Sequence, residues 1–379
     1  MTGKERVMAT FEGREFDKVP IYCAGLSCYI ASHVLGRDAF VGHGMQRYRE
    51  SVARWEGWLE EFEARTSHDV LEASERLDFD LVRPMYWRYG HDPIARIDEY
   101  TFKYGDEDAS WWVMRFDPDT ELYQQVDRSQ QRELTIEDVR RAADQAEAGA
   151  ESGSSPSPDS YPDLQRAIAF YGERRAIPGF GTGVAILRER HWLEAMVLEP
   201  DTVRRYLVAR AKINCRTIPV MAEMGLKILF GGGDFAGKNG PLYGPKAFHH
   251  CMLPALQIVS ECCDSNDVWH FFASDGNLWP VAEDLFGNSG VQGFYEIDRR
   301  CEMDLELIRD TFPHLKLCGG IASETLHQGT VEDVVAETRD ALEVARRRGQ
   351  IVVGVSNQVV PGTPLENFDA MMETLHNQT

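Results

Sequence analysis

The chain has 379 residues, 43% of them hydrophobic, with 61 acidic against 40 basic side chains and a formal net charge of −21. That apolar content suffices for a large core, in one α/β domain with insertions or in two domains, and the acidic surplus repels a phosphate backbone, which argues against nucleic acid as a partner. No apolar run approaches the roughly eighteen residues of a membrane span, and the start, MTGKERVMATFEG, lacks an apolar signal core, so a cytoplasmic protein with no membrane partner is expected.

In chain order, 4–13 reads as a short helix and 19–23 as a first strand, followed by helices at 26–36 and 45–66. Trp55, Trp58, Leu59 and Phe62 recur at helical spacing and predict one packed face. A second strand is expected at 79–85, then an aromatic loop at 86–90. The alternation in EYTFKYGDEDASWWVMRFDPDTELYQQV predicts a β-meander. Residues 135–150 form a helix opened by a Thr-x-x-Asp cap, and AGAESGSSPSPDS after it is of low complexity, too poor in apolar groups to offset its ordering entropy.

A regular rhythm follows. A third strand is expected at 176–182, and three more in the stretch 226–298, within LKILFGGGDF, VWHFFASDG and VQGFYEID. The seventh and eighth are placed at 314–322 and 350–357, each strand being followed by helix. Continuous apolar runs bounded by Gly, Asp or Asn are the mark of strands buried on both faces of a parallel sheet. Eight such units predict a closed (β/α)8 TIM barrel with an insertion after the second strand, a single domain over 1–379 in which 100–165 is the insertion. No GxGxxG follows a strand, and the GGG at 231–233 lacks the lysine and hydroxyl of a phosphate loop.

In a barrel of this kind the active site lies where the strands end. The strand-end residues are Cys23, Arg83, Tyr86, Thr182, Asp234, Asp275, Glu296, Asp298, Cys318, Ser356 and Asn357. Carboxylates crowded at one mouth must share protons, meet a cation or bind metal, so three alternatives stand: an acid/base pair, a hard-metal site, or a pocket for a cationic substrate walled by Tyr86, Trp87 and Trp279. The cysteines are scattered without the spacing of a disulfide framework and read as small buried hydrophobes.

The opening KERVMATFEGREFDKVP, with the later blocks GGGDFAGKNGPLYGPKAFHHCMLPAL, ASDGNLWPVAEDL, GFYEIDRRCEMDLELIRDTF, LKLCGGIASETL and TPLENFDAMMETL, resembles the uroporphyrinogen decarboxylase superfamily. The similarity is strongest to its decarboxylase-like branch, related to corrinoid-dependent and coenzyme M methyltransferases. It implies a (β/α)8 barrel and an enzyme. Where true uroporphyrinogen decarboxylases carry an RQAGR-like motif for propionates, this chain reads CAGLSCYIASHVLGR. Where the methyltransferases carry a zinc-binding His-x-Cys and a late Cys, it has Ala273, Asp275 and Ser356, so the soft ligands that activate a thiol are not carried over.

The resulting expectation is methyl transfer or demethylation of a small substrate with a corrinoid protein as partner. The alternatives are a decarboxylase or lyase of a small carboxylated substrate, with Arg83, Arg88, Arg188 or Arg190 to hold the carboxylate, and a binding subunit that has lost catalysis. Asp275, Asp234, Glu296 and Asp298 are the expected catalytic residues. Cys23, Arg83, Tyr86, Trp87, Lys238, Asn277, Ser356 and Asn357 are the expected substrate contacts. A divalent metal, if bound, would draw on Asp275, His270, Glu296 and Cys318. The Trp-rich segments offer a face for a homodimer.

Overall fold

Strands that carry apolar residues on both faces must be covered on both, and the computed structural model, which describes residues 1–84 and 87–378, meets that need with a curled parallel sheet inside a layer of helices. The strands are β1 (Ile21–Leu26), β2 (Ala95–Asp98), β3 (Thr101–Gly105), β4 (Trp111–Asp117), β5 (Leu122–Arg128), β6 (Gly179–Phe180) and β7 (Ile228–Gly232). They continue with β8 (Ala236–Gly237), β9 (Gly240–Pro241), β10 (Trp269–Ala273), β11 (Gly293–Tyr295), β12 (Lys316–Ile321) and β13 (Ile351–Val359). The parallel sheet has seven strands in the order β1-β13-β12-β11-β10-β7-β6. Its two edges are joined through one residue, Leu81, which forms parallel bridges to Tyr22 of β1 and to Ala176 just before β6. The second stave, expected over 79–85, is thus reduced to that bridge, and the result is a TIM-barrel-like ring.

Alternation along the strands sorts the core into two layers. Tyr22, Ala24, Leu81, Phe230, Phe271, Ala273, Tyr295, Cys318 and Val352 pack together inside the ring. Ile21, Cys23, Phe272, Phe294, Leu317 and Val353 belong to the larger layer between sheet and helices. No helix among the described residues is long and apolar enough to cross a membrane.

Between Leu81 and β6 the chain builds the meander, an antiparallel sheet in the order β2-β3-β4-β5. It docks on the helix His43–Glu56 through Tyr48, whose ring stacks on Phe116 with centroids 4.4 Å apart. At the β4–β5 turn, the Glu121 carboxylate accepts the backbone N–H groups of Cys28 and Tyr29 at 2.7 and 2.8 Å, capping the helix Cys28–Leu35 with a negative charge at its positive end. The helix Ile136–Ser152 then opens on the capping box of Thr135 and Asp138, as its sequence predicts.

Two helical expectations are corrected. The run 45–66 is not one helix: His43–Glu56 ends on Gly57, at φ 82°, and a second helix spans Leu59–Arg76. Phe62, Trp58 and Leu59 pack with Phe40 and Ala53, whereas Trp55 lies before the break and is 45% exposed. Likewise 201–225, whose sequence DTVRRYLVARAKINCRTIPVMAEMG reads as one helical segment, divides into Pro200–Asn214 and Ile218–Glu223, where Pro219 cannot donate to the hydrogen-bond ladder.

The lower end of the ring is sealed by the first helix, Gly3–Phe11, whose Phe11 ring meets Trp269 at 5.8 Å and Phe271 at 5.3 Å. Beside it the buried guanidinium of Arg6 pairs with the fully buried Asp80, whose other oxygen accepts the Ile21 N–H at 2.9 Å. Burial pushes Asp80 up from the ordinary carboxylate range, against the hydrogen bond from Ile21 and the charge of Arg6. Arg6→Ala strips this carboxylate of its cation while leaving it enclosed, so we expect the unfolding free energy to fall by roughly 3–5 kcal/mol in denaturant titrations, with the transition still cooperative.

Candidate active site

The site is assembled from strand ends that are far apart in sequence. β7 runs out through Gly231, Gly232 and Gly233, and at Gly232 (φ 113°) a Cβ would lie 2.3 Å from the Ala273 carbonyl oxygen. Only glycine allows that approach, which brings the residues following β7 and β10 side by side. Asp275 N–H then donates to Asp234 Oδ1 at 3.1 Å. From β13, the Asn357 amide donates to both carboxylate oxygens of Asp275, at 3.0 and 2.9 Å. From the end of β11 comes Glu296, held at φ 63°, a left-handed conformation that is costly for a residue with a side chain. Asp234, Asp275 and Glu296 thereby offer oxygens all within 4.8 Å of one another.

Little positive charge offsets this crowd. Arg83 Nη1 stands 3.6 Å from Glu296 Oε1 and 3.5 Å from the Ala24 carbonyl. Arg188 lies 3.8 Å from Asp234 Oδ2, with both side chains about half exposed. Burial, then the charge of Asp234, push Asp275 up to about 6, against the hydrogen bonds from Asn357. Burial pushes Glu296 up to about 7; Arg83 opposes the shift, and Asp275 and Asp234 add to it. Two carboxyl groups are therefore poised to exchange protons near neutral pH.

Asp234 and Glu296 line a cavity of about 610 Å³, and Asp275 is hydrogen-bonded to Asp234 beside it. The cavity lining includes Arg83, Trp87, Tyr161, Phe180, Phe230, Asp234, Tyr295 and Glu296. Phe230 and Tyr295 are stacked at 4.0 Å on the floor, and the Tyr295 hydroxyl donates to the Gly231 carbonyl at 2.9 Å. Tyr161 and Phe180 meet edge to face at 5.0 Å in the wall. Trp87 is fixed from behind: its N–H donates to Gln46 Oε1 at 2.7 Å, while the buried Glu50 carboxylate accepts the amides of Tyr89 and Gly90. The wall residue Ser160 ends the low-complexity stretch and Tyr161, Asp163 and Leu164 directly follow it, with Asp163 paired to Arg88 at 3.1 Å.

Of the residues expected at the rim, Asp234, Asp275, Glu296, Asn357, Arg83 and Trp87 meet here. Asp298 stands just beside them, its carboxylate accepting the Gly276 N–H at 3.2 Å. Others are placed elsewhere. Cys23 faces the helix layer and its thiol donates to the Gly25 carbonyl at 3.3 Å, because odd positions of β1 point outward. His270 also lies on the outer side of its strand, buried and sharing a hydrogen bond with Ser260 at 2.8 Å; burial pushes it down to about 3. Cys318 is enclosed within the ring, where burial pushes its thiol up strongly. The Thr182 and Ser356 hydroxyls bind strand backbone, Thr182 at the Leu229 carbonyl and Ser356 at the Gly320 N–H.

Lys238 is exposed in the turn joining β8 and β9 and does not line the cavity. Asn277 turns to Glu302 at 3.3 Å, and the Trp279 indole donates to the Glu302 carbonyl at 2.8 Å, so neither belongs to the lining. Arg190 is exposed and pairs with Glu194. Tyr86 lies outside the described residues. Tyr161, Phe180, Phe230 and Tyr295 are site residues that the strand-end rule misses, the last three lying in strands whose inner face the sequence does not reveal. Tyr295 alone carried a signal, its place next to Glu296.

A family model described as uroporphyrinogen decarboxylase (URO-D) matches residues 187–378, about half of the chain. The chain belongs to that family. No curated protein matches it. Among solved structures it is similar to a methyltransferase from Methanosarcina mazei, over 100% of this chain and 99% of the other, at 16% identity and a TM-score of 0.66, a likeness of fold. Within this uroporphyrinogen decarboxylase family member, the matched half carries Asp234, Asp275, Glu296 and Asn357. Arg83, Trp87, Tyr161 and Phe180 come from the other half.

The raised carboxyl groups set a pH dependence whose sign follows from linkage. Both folded values lie above those of an unfolded carboxylate, about 4, so in between the folded protein binds more protons than the unfolded chain and stability falls as pH rises. Glu296→Gln removes one such group. Urea titrations from about pH 5 to pH 8 should show the variant gaining roughly 1–3 kcal/mol relative to the wild type across the range. A constant difference would mean that Glu296 titrates as an ordinary carboxylate.

Proposed function

We propose that this protein is an enzyme that transfers or removes a methyl group on a small substrate, with a corrinoid protein as partner. The observation carrying the proposal is the carboxyl cluster of Asp234, Asp275 and Glu296, of which Asp234 and Glu296 line an aromatic-walled cavity of about 610 Å³. When a carbon–heteroatom bond to a methyl group breaks, its electron pair stays on the heteroatom, and a carboxyl still protonated near neutrality can supply the proton that this atom needs. Asp275 and Asp234 position or protonate the substrate in this scheme, Glu296 and Asp298 add acidic contacts, and Arg83 offsets charge. The described lining contains no Cys, His or Lys, which favours a methyl acceptor outside the chain. A corrinoid held by the partner would supply that nucleophile. The similarity of fold to a methyltransferase supports the same reading.

A thiol-activating zinc ion does not fit the donors present. The acidic cluster offers only oxygens, Cys23 faces the helices and Cys318 is enclosed in the ring. A hard divalent cation fits better, with Asp234, Asp275 and Glu296 as the residues that would hold it. Decarboxylation is the second reading, favoured by Arg83, whose guanidinium lies between the Trp87 and Tyr295 rings at 5.6 and 5.9 Å and would hold a substrate carboxylate. An open cavity with perturbed acids supports either enzyme over a binding subunit that has lost catalysis.

The test is to incubate the protein with reduced cobalamin and simple methylated compounds and to follow methylcobalamin by absorbance. Asp275→Asn is expected to lower the rate by at least ~100-fold while the thermal midpoint stays within a few degrees. Release of CO2 from carboxylated compounds, with no methyl transfer, would assign the lyase reading instead.

A further inference from the structure

We infer that the cavity selects a substrate whose methyl groups sit on a cationic nitrogen, a quaternary or protonated tertiary ammonium compound; the inference rests on reading this cavity as the substrate site. It follows first from charge. Asp234, Asp275 and Glu296 converge within 4.8 Å, yet Asp275 is met by the uncharged Asn357 amide. Glu296 has its guanidinium partner only at 3.6 Å, and Asp234 has a half-exposed one at 3.8 Å. An anionic ligand would join a site where carboxylates already repel each other, whereas a cation relieves that repulsion.

The walls supply the second argument. The Tyr295 ring is stacked on Phe230 and has Arg83 over it at 5.9 Å, and Arg83 also lies 5.6 Å from the Trp87 ring. These aromatic faces already accommodate a cation, and the wall left open is that of Trp87, Tyr161 and Phe180. Tyr161 and Phe180 form a further aromatic wall, and Phe180 remains 42% exposed. An ammonium group gains from both surroundings at once: π faces for its methyl groups, whose carbons carry much of the charge, and carboxylates for the net charge. A volume of about 610 Å³ admits a molecule of this size. For such a substrate the carbon–nitrogen bond breaks with its electron pair left on nitrogen, which departs as a neutral amine while the methyl group passes to the external nucleophile. The carboxylates hold the charge of the bound cation, and the departing amine, a stronger base than a carboxylate, takes up the proton that a protonated carboxyl supplies.

The test is binding without turnover. Choline and its uncharged isostere 3,3-dimethylbutan-1-ol differ only in nitrogen against carbon, and benzoate serves as the anionic probe. Calorimetry and tryptophan fluorescence on the full chain should show saturable choline binding at least ~10-fold tighter than the isostere. Trp87→Ala should weaken choline ~10-fold, and Glu296→Gln should weaken it while leaving the tryptophan signal available if the first variant does not fold. Equal binding of choline and the isostere, no saturable choline binding, or tighter binding of benzoate would overturn the inference. Choline bound but never demethylated would sink the reaction and leave the ligand class standing.

Discussion

Three carboxylates stand on an apolar floor, and most properties of the site depend on that contact. The stacked rings of Phe230 and Tyr295 close the ring's interior just beneath Glu296, with Phe271 and the plug residue Phe11 below them. Burial is the largest cause of the upward shift at both Asp275 and Glu296, ahead of the charges of neighbouring carboxylates. The same packed interior prevents a ligand from sinking into the barrel and confines it to the mouth.

The geometry is held by backbone devices as much as by side chains. Gly232 lets β7 approach β10 closely enough for Asp275 N–H to reach Asp234, and the left-handed conformation of Glu296 turns its carboxylate toward both. A strained residue persists where its surroundings over-determine it, and here β11 is paired on both sides, with β10 and β12. The acidic centre and part of the cavity wall come from different halves of the chain. The half of the chain matched by the family supplies the acids and Asn357, while the other half supplies Arg83, Trp87, Tyr161 and Phe180.

The walls also give the elaborated middle of the chain a part in the site. The helix His43–Glu56 carries the meander on one side and, through Gln46 and Glu50, pins the loop of Trp87 on the other. Tyr161 and Asp163 reach the cavity directly after the Ser- and Pro-rich stretch, so that segment leads into the wall of the mouth.

From the sequence alone, the rhythm of buried strands and helices, the meander, and the acidic residues at strand ends were legible, because each is written in local periodicity or in a residue beside a turn. Asp234, Asp275, Glu296 and Asn357 belong to that class. Only the tertiary structure decided which face of each strand looks inward, and so it separated Cys23 and His270, on the outer layer, from Tyr295 and Phe230, on the inner one. It also reduced the second stave to the bridges of Leu81 and joined residues 160–164 to Phe180. The physical reason is that a strand buried on both faces has no polar side to mark its orientation. Its facing and its neighbours are set by pairing register with segments remote in the chain, which local pattern does not encode.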